Sequence, residues 1–478
     1  MGCTALLLAG VLALRGHRLG PSHAEGTSSS GAARAAVRTA TAFDGALAAR
    51  SGTLGRASAR PAVGEVGGPL LVRDSREYLA AACAGGDGRA GLPLGAAQRA
   101  AVCAHAGADP QASAQAGDAP AQAGTRCRPD IVLAGSTKCG STSLFAALTR
   151  RFGAAAGGGG GGGGRADGAV LIEPLRKEQP FFTRADREAS PYFGTETNAS
   201  DVAVRYLSAL LLPKSMQARE RPLRGRPASA HPVHGQAQLT IDGQVRTLQA
   251  GRRAARTAAA FCPDTKVVLI LCEPASRAHR HYSFRAFGKG IFAAQKAKYA
   301  NQTFDLLVER QLQELPPEVV ELRKALLSSP DDEEAIARAE RAAAESLDAV
   351  DSRNTTTFLT LGLYAAAMRP WLDVFPSRSF CVTSLGRFAA DQEAVVDEIG
   401  RCVGLSAAAG PRVRGGGGPR ERAIHRNPNP DKSDASAHAF AALREFYAPF
   451  DARLDAVLGD PVAQEWRAAA AAGAASFL

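Results

Sequence analysis

The chain has 478 residues, of which 45% are hydrophobic but only 6% aromatic; it carries 50 glycines and a formal net charge of +11. No apolar run approaches the roughly 18 residues of a membrane span, which excludes a multi-span membrane protein, and the glycines lack the three-residue period of collagen. The basic balance favours anionic partners such as glycans or phosphorylated cofactors; no zinc-finger spacing or aromatic-plus-basic signature points to nucleic acid.

In chain order, residues 1–19 hold a short apolar stretch followed by Arg15, His17 and Arg18, as in a signal segment or signal anchor. Residues 20–127 are a low-complexity Ala/Gly/Ser/Arg stem with too few large apolar side chains to repay ordering. The core-forming region is 128–459, enough for one α/β domain. Residues 131–134 are a short apolar run suited to a buried strand, 135–140 a loop, and 142–151 a helix with Leu144, Phe145 and Leu148 on one face. An inserted loop, 153–168, holds the glycine run 157–164. Residues 170–172 and Phe181-Phe182 are strand material, 200–213 a helix, 214–238 a second inserted loop, and 239–248 extended. Residues 267–271 are the strongest strand, followed by a helix over 275–284. A helical insertion spans 304–350, with Ser329-Pro330-Asp331-Asp332 as a capping box inside it. A helix over 358–371, a strand over 380–383 and a helix over 392–403 follow; 435–458 is helical and broken by Pro449 into two pieces, and 460–478 is an Ala-rich tail. Strands alternating with long crossovers predict a parallel sheet covered by helices on both faces, hence three layers.

The most informative segment is Gly135-Ser136-Thr137-Lys138-Cys139-Gly140-Ser141-Thr142-Ser143, between a strand and an amphipathic helix. Amides at a helix N-terminus, with glycine allowing close approach, form a phosphate cradle. Ser141 and Thr142 add hydroxyls and Lys138 a charge. A nucleotide-triphosphate P-loop places Lys directly after the second glycine; here that residue is Ser141, which disfavours a kinase or NTPase.

Lys138-Cys139-Gly140-Ser141-Thr142-Ser143-Leu144 resembles the 5′-phosphosulfate loop of sulfotransferases that use 3′-phosphoadenosine 5′-phosphosulfate (PAPS), most of all the Golgi carbohydrate enzymes of heparan-sulfate and chondroitin/GalNAc type. Lys177-Glu178-Gln179-Pro180-Phe181-Phe182 is similar to the family segment whose glutamate is the general base, which maps onto Glu178. Leu239 through Val245 resembles, weakly, the acceptor-lining segment; Gly243 stands where some members have lysine. Residues 266–282 are similar to the 3′-phosphate segment and place Arg277 in its frame, but Cys272 stands where an arginine is expected and Arg280 where a serine is expected. Arg280 could restore the missing charge, because a guanidinium forks well onto phosphate. Gly362-Leu363-Tyr364 through Pro376 resembles the stretch before the last strand, with Trp371 and Phe375 as core, and Arg420 and Arg422 match the basic loop that closes over the cofactor.

The resemblance implies a P-loop-like three-layer α/β fold and sulfuryl transfer from PAPS to a hydroxyl or amine of a carbohydrate acceptor. It makes Glu178 and Lys138 catalytic, with Lys138, Cys139, Gly140, Ser141, Thr142, Ser143, Cys272, Arg277, Arg280, Arg420 and Arg422 holding the donor and no metal required. It also implies a Golgi-lumen protein, either anchored once at its N-terminus or secreted. Sequons at Asn198, Asn301 and Asn354 fit that route. A non-catalytic binder of nucleotide or glycan is the alternative raised by Cys272 and Arg280. Of the nine cysteines, some of Cys83, Cys103 and Cys127 could pair in an oxidising lumen, against buried free thiols elsewhere; connectivity stays open.

Overall fold

The computed structural model describes residues 127–153, 169–172, 174, 177, 206, 238–288, 296–297, 299, 302–349, 358–405 and 435–471. The N-terminal segment and stem, the glycine run, Phe181-Phe182, most of 200–238, the sequons at Asn198, Asn301 and Asn354, and Glu178, Arg420 and Arg422 lie outside them.

Five strands, β1 (Ile131–Gly135), β2 (Val170–Ile172), β3 (Gln238–Asp242), β4 (Lys266–Leu271) and β5 (Phe380–Ser384), form one sheet in the order β2-β3-β1-β4-β5. Every pairing is parallel, with Ile131 opposite both Ile241 and Lys266, and Val268 opposite Cys381. The central strands are apolar on both faces because both faces are covered. Val132, Ala134, Val267, Leu269 and Leu271 point to one core, with α2 (Gly251–Phe261) and α7 (Tyr364–Leu372). Ile131, Leu133, Val268 and Ile270 point to the other, with α1 (Ser141–Phe152), α8 (Leu385–Ala390) and α9 (Gln392–Cys402). The period-2 alternation of β1 and β4 thus sorts their side chains between two cores and yields the expected three layers.

A third apolar cluster joins α3 (Pro274–Phe287), α4 (Phe304–Gln313), α5 (Pro317–Ser328), α6 (Glu333–Ala349) and α10 (Ala437–Leu458). The helical insertion expected over 304–350 is therefore packed against the domain. Its capping differs from expectation: Ser329 ends α5, and Asp332 caps α6 by accepting the Ala335 amide at 2.9 Å. The expected break at Pro449 is also absent, because α10 runs unbroken from Ala437 to Leu458. Proline removes the bond to the carbonyl four residues back, here at exposed Glu445, where water can replace it. Phe446, Tyr447, Phe450 and Asp451, buried on either side, hold the helix together.

The Ala-rich tail is likewise partly structured. Val462–Ala471 forms α11, with Val462, Ala463 and Trp466 buried in the first core and Trp466 Nε1 donating to Asp451 at 3.0 Å. Alanine repeats carry no visible period, so only docking of the first turn reveals this helix. The cysteines pair as Cys127–Cys262, Cys139–Cys272 and Cys381–Cys402. Cys127 thus bonds a residue 135 positions away rather than Cys83 or Cys103, and six cysteines that the sequence left between thiol and disulfide are oxidised.

Candidate anion-binding site

The chain leaves β1 towards the β2 side of the sheet and leaves β4 towards β5. The carboxyl ends of adjacent β1 and β4 therefore flank a topological switch point, where open α/β sheets bind ligands. Two loops meet there: 136–140 after β1, and Cys272-Glu273 after β4.

The first loop is pinned to β4 by the Ser136 amide, which donates to the Ile270 carbonyl at 2.8 Å. Lys138 and Gly140 adopt left-handed conformations, with φ of 70° and 87°. At Gly140 the positive φ disfavours a side chain, and a Cβ there would also press on Leu385 Cδ1 at 2.9 Å. That turn delivers the chain into α1, whose first turn has no acidic residue and no side-chain cap. Its leading amides keep the partial positive charge that an anion meets at a helix N-terminus. Ser136 Oγ and Thr137 Oγ1 are buried without a hydrogen-bond partner among the described residues.

Lys177 adds a charge that the sequence motif did not assign. Its Nζ donates to Thr142 Oγ1 at 3.3 Å and to Ser141 Oγ at 3.5 Å. Its backbone carbonyl accepts the Gly243 amide at 2.7 Å. A Cβ at Gly243 would lie 2.7 Å from both Lys177 Cγ and Lys177 O and 3.1 Å from Phe145. The glycine that departs from the family pattern is therefore what lets Lys177 lie across the exit of β3 and reach α1.

From β4, Pro274 opens α3 at a position where its missing N–H costs nothing. Arg277 follows three residues on and is fully buried. Its Nη2 donates to the Phe358 carbonyl, while Nε and Nη1 have no hydrogen-bond partner among the described residues. Buried polar groups are nearly always paired, so two unpartnered guanidinium donors make Arg277 a candidate contact for an anionic acceptor. Arg280, one turn on, is only half-buried, so Arg277 rather than Arg280 is the cation held inside.

Further cations converge here. Burial, and then the charges of Arg277, Arg285, Arg246 and Lys138, hold the His281 imidazole well below its ordinary pKa. His281 Nε2 accepts from Arg285 Nε at 3.4 Å. Lys138 Nζ stands over the Phe284 ring at 3.0 Å from its centre rather than on the loop. Cys139 and Cys272 are bonded to each other, so neither offers a thiol to a ligand.

Two buried carboxyls border this region. Asp242, at the exit of β3, accepts from Tyr206 Oη at 2.8 Å and from the Gln244 amide at 3.0 Å. Burial, and then Asp242, push the Tyr206 hydroxyl well above its ordinary pKa. Beside Glu273 lies a cavity of 180 Å³ lined by Pro274, Tyr447, Asp451 and Trp466. Burial raises Asp451 to about 7, although the Trp466 N–H opposes the shift. Among the described residues no group of His, Cys, Asp and Glu is arranged to hold a metal ion, and no helix is long and apolar enough to cross a membrane.

No family model matches the sequence, and no curated protein matches it. Among solved structures the fold is similar to a sulfotransferase from Alicyclobacillus acidocaldarius, 18% identical, covering 71% of this chain and 99% of that chain with a TM-score of 0.39. A likeness this remote transfers no chemistry to this chain.

Proposed function

We propose that the protein transfers a sulfuryl group from PAPS to a hydroxyl or amine of a carbohydrate acceptor. The observation that carries the reading is the pairing, at one switch point, of an uncapped anion loop with a fully buried arginine that has two orphaned donors. A donor with separate 5′- and 3′-anionic groups matches two such sites, and the loop sequence resembles the 5′-phosphosulfate segment. When bound, the donor supplies the activated sulfuryl group.

The residues then divide the work. The amides from Gly140 to Ser143 and the hydroxyls of Ser141 and Thr142 hold the 5′ end, and Arg277 holds the 3′-phosphate. Lys177 stands already beside those hydroxyls; Lys138 leaves Phe284 to offset charge on the leaving oxygen. Glu178, next to Lys177 in the chain, accepts the proton of the acceptor hydroxyl as its oxygen bonds to sulfur and the bond from sulfur to the 5′-phosphate oxygen breaks, releasing adenosine 3′,5′-bisphosphate. Arg280, Arg420 and Arg422 are further donor contacts under this reading. The disulfides suit an oxidising lumen, so a Golgi protein, anchored or secreted, with glycans at Asn198, Asn301 and Asn354, is part of the proposal.

A second reading, binding without turnover, is favoured by the loss of a cation at Cys272. Calorimetry with adenosine 3′,5′-bisphosphate, followed by transfer of labelled sulfate from PAPS to a glycan panel, separates the two. Binding with transfer that Glu178→Gln abolishes supports the enzyme; binding without transfer supports the alternative. An absence of bisphosphate binding at millimolar ligand refutes the PAPS reading and leaves only a binder of glycan.

A further inference from the structure

Cys139 and Cys272 lie 133 residues apart, yet their Cα atoms are 5.4 Å apart and both are buried, at 0% and 5% exposure. They occupy the two loops of the switch point: Cys139 is the residue before Gly140 in the anion loop, and Cys272 is the first residue after β4, five before Arg277. The same junction is tied twice more. Tyr364 Oη donates to the Cys272 carbonyl at 3.0 Å and lies 3.5 Å from Cys139 Sγ, and the Ser136 amide bonds the Ile270 carbonyl. The other two disulfides differ in place: Cys127–Cys262 joins the start of β1 to the end of α2, and Cys381–Cys402 joins β5 to α9, both away from the carboxyl edge of β1 and β4.

We infer that the Cys139–Cys272 disulfide is a positioning element, a covalent strut that sets the anion loop against the Arg277-bearing loop so that one ligand can span both. The physical need is clear in the loop itself. It holds two left-handed excursions, at Lys138 and Gly140 on either side of Cys139, and two buried hydroxyls without a hydrogen-bond partner among the described residues. It has few bonds of its own to maintain that shape: within it the backbone supplies only the Cys139 amide to the Ser136 carbonyl, at 3.2 Å. A strut at Cys139–Cys272 holds the two loops together ahead of binding. Preorganisation of this kind improves affinity by removing the ordering cost from the binding step. On this view Cys272 does not merely lack the arginine expected there. It exchanges a charge contact to the ligand for a bond to the loop.

The ligand in this inference rests on the donor reading above, but the strut itself can be tested without it. In the full chain, Cys139→Ala/Cys272→Ala is compared with wild type and with Cys381→Ala/Cys402→Ala. Hydrogen exchange is followed for the amides of 136–144 and, separately, for β4 and β5. Calorimetry measures adenosine 3′,5′-bisphosphate against adenosine. The expected result is exchange at least tenfold faster in 136–144 with β4 and β5 unchanged, and bisphosphate affinity at least tenfold weaker with adenosine affinity unaltered. The Cys381/Cys402 variant shows neither change. Unaltered exchange in 136–144 overturns the strut, as does acceleration spread equally over β4 and β5, which marks a merely structural bond. If Cys139→Ala/Cys272→Ala does not fold, single Cys272→Ala, which retains the Cys139 side chain, is read by the same exchange criterion. If wild type ignores the bisphosphate while exchange in 136–144 still accelerates in the variant, the strut stands and the donor reading falls.

Discussion

Arg277→Met separates what Arg277 does for folding from what it does for binding. Methionine keeps most of the length and apolar volume but none of the donors. In the wild-type protein Nε and Nη1 are buried and unpaired among the described residues. An unmet buried donor costs about 1–3 kcal/mol, so the pair costs roughly 2–6 kcal/mol. The substitution removes that cost and the burial of the charge, and orphans one acceptor, the Phe358 carbonyl, at about 1–3 kcal/mol. The balance is a ligand-free protein more stable by about 1–3 kcal/mol, as when buried charges give way to apolar groups. Binding moves the other way. Two hydrogen bonds to a charged group are worth about 1.5–3 kcal/mol each, so the 3′-phosphate loses roughly 3–6 kcal/mol, a factor of about 10²–10⁴. Urea unfolding of the free protein reads the first effect. Calorimetry with adenosine 3′,5′-bisphosphate and adenosine 5′-phosphate reads the second, as loss of preference for the former. A variant less stable than wild type by more than about 2 kcal/mol that keeps the 3′-phosphate preference refutes the reasoning, because Arg277 would then be a structural cation.

Two further outcomes follow from single side chains. Asp451 is raised from its ordinary 3.8 to about 7 in the folded protein. The folded state therefore holds the proton more tightly, so its contribution is complete below pH 3.8 and is lost as pH rises through 7; at about 1.4 kcal/mol per pH unit the loss is up to roughly 4 kcal/mol. Asp451→Asn keeps an acceptor for Trp466 and should unfold with a flatter pH dependence between 4 and 8, gaining most above pH 7; identical pH profiles for variant and wild type in urea melts would falsify this. Gly243→Ala places a methyl group 2.7 Å from Lys177, which must withdraw from Ser141 and Thr142. The expected cost is about 1–3 kcal/mol of stability and a bisphosphate affinity about tenfold weaker, and unchanged affinity in calorimetry would remove Lys177 from the site.

Strands β1 and β4 were legible because each is an uninterrupted apolar run, and the anion loop because its glycines and hydroxyls sit between such a run and one of period 3.6. Trp371 and Phe375, expected in the core, are stacked and buried there. α11 was hidden by alanines that carry no periodic signal, and the unbroken α10 by a proline whose lost bond falls on a solvated side. The site was legible in part. Arg277 could be named from its frame, but a solvated helix face and a buried guanidinium look alike in one dimension. Lys177 could be quoted within a motif, but its reach to Thr142 depends on Gly243, 66 residues on.

By itself, the sequence determined the local architecture: which segments are strands, where the chain must turn through glycine, and that an anion-type loop opens α1. These follow from side-chain polarity and backbone sterics acting over a few residues. Only the tertiary structure decided which cations face that loop and which cysteines join. Arg277 is enclosed because α3 packs under α10 and the Phe358 segment, and Cys139 meets Cys272 because β1 and β4 became neighbours across 133 residues of chain. Burial and pairing of that kind belong to contacts between distant segments, which no local pattern encodes.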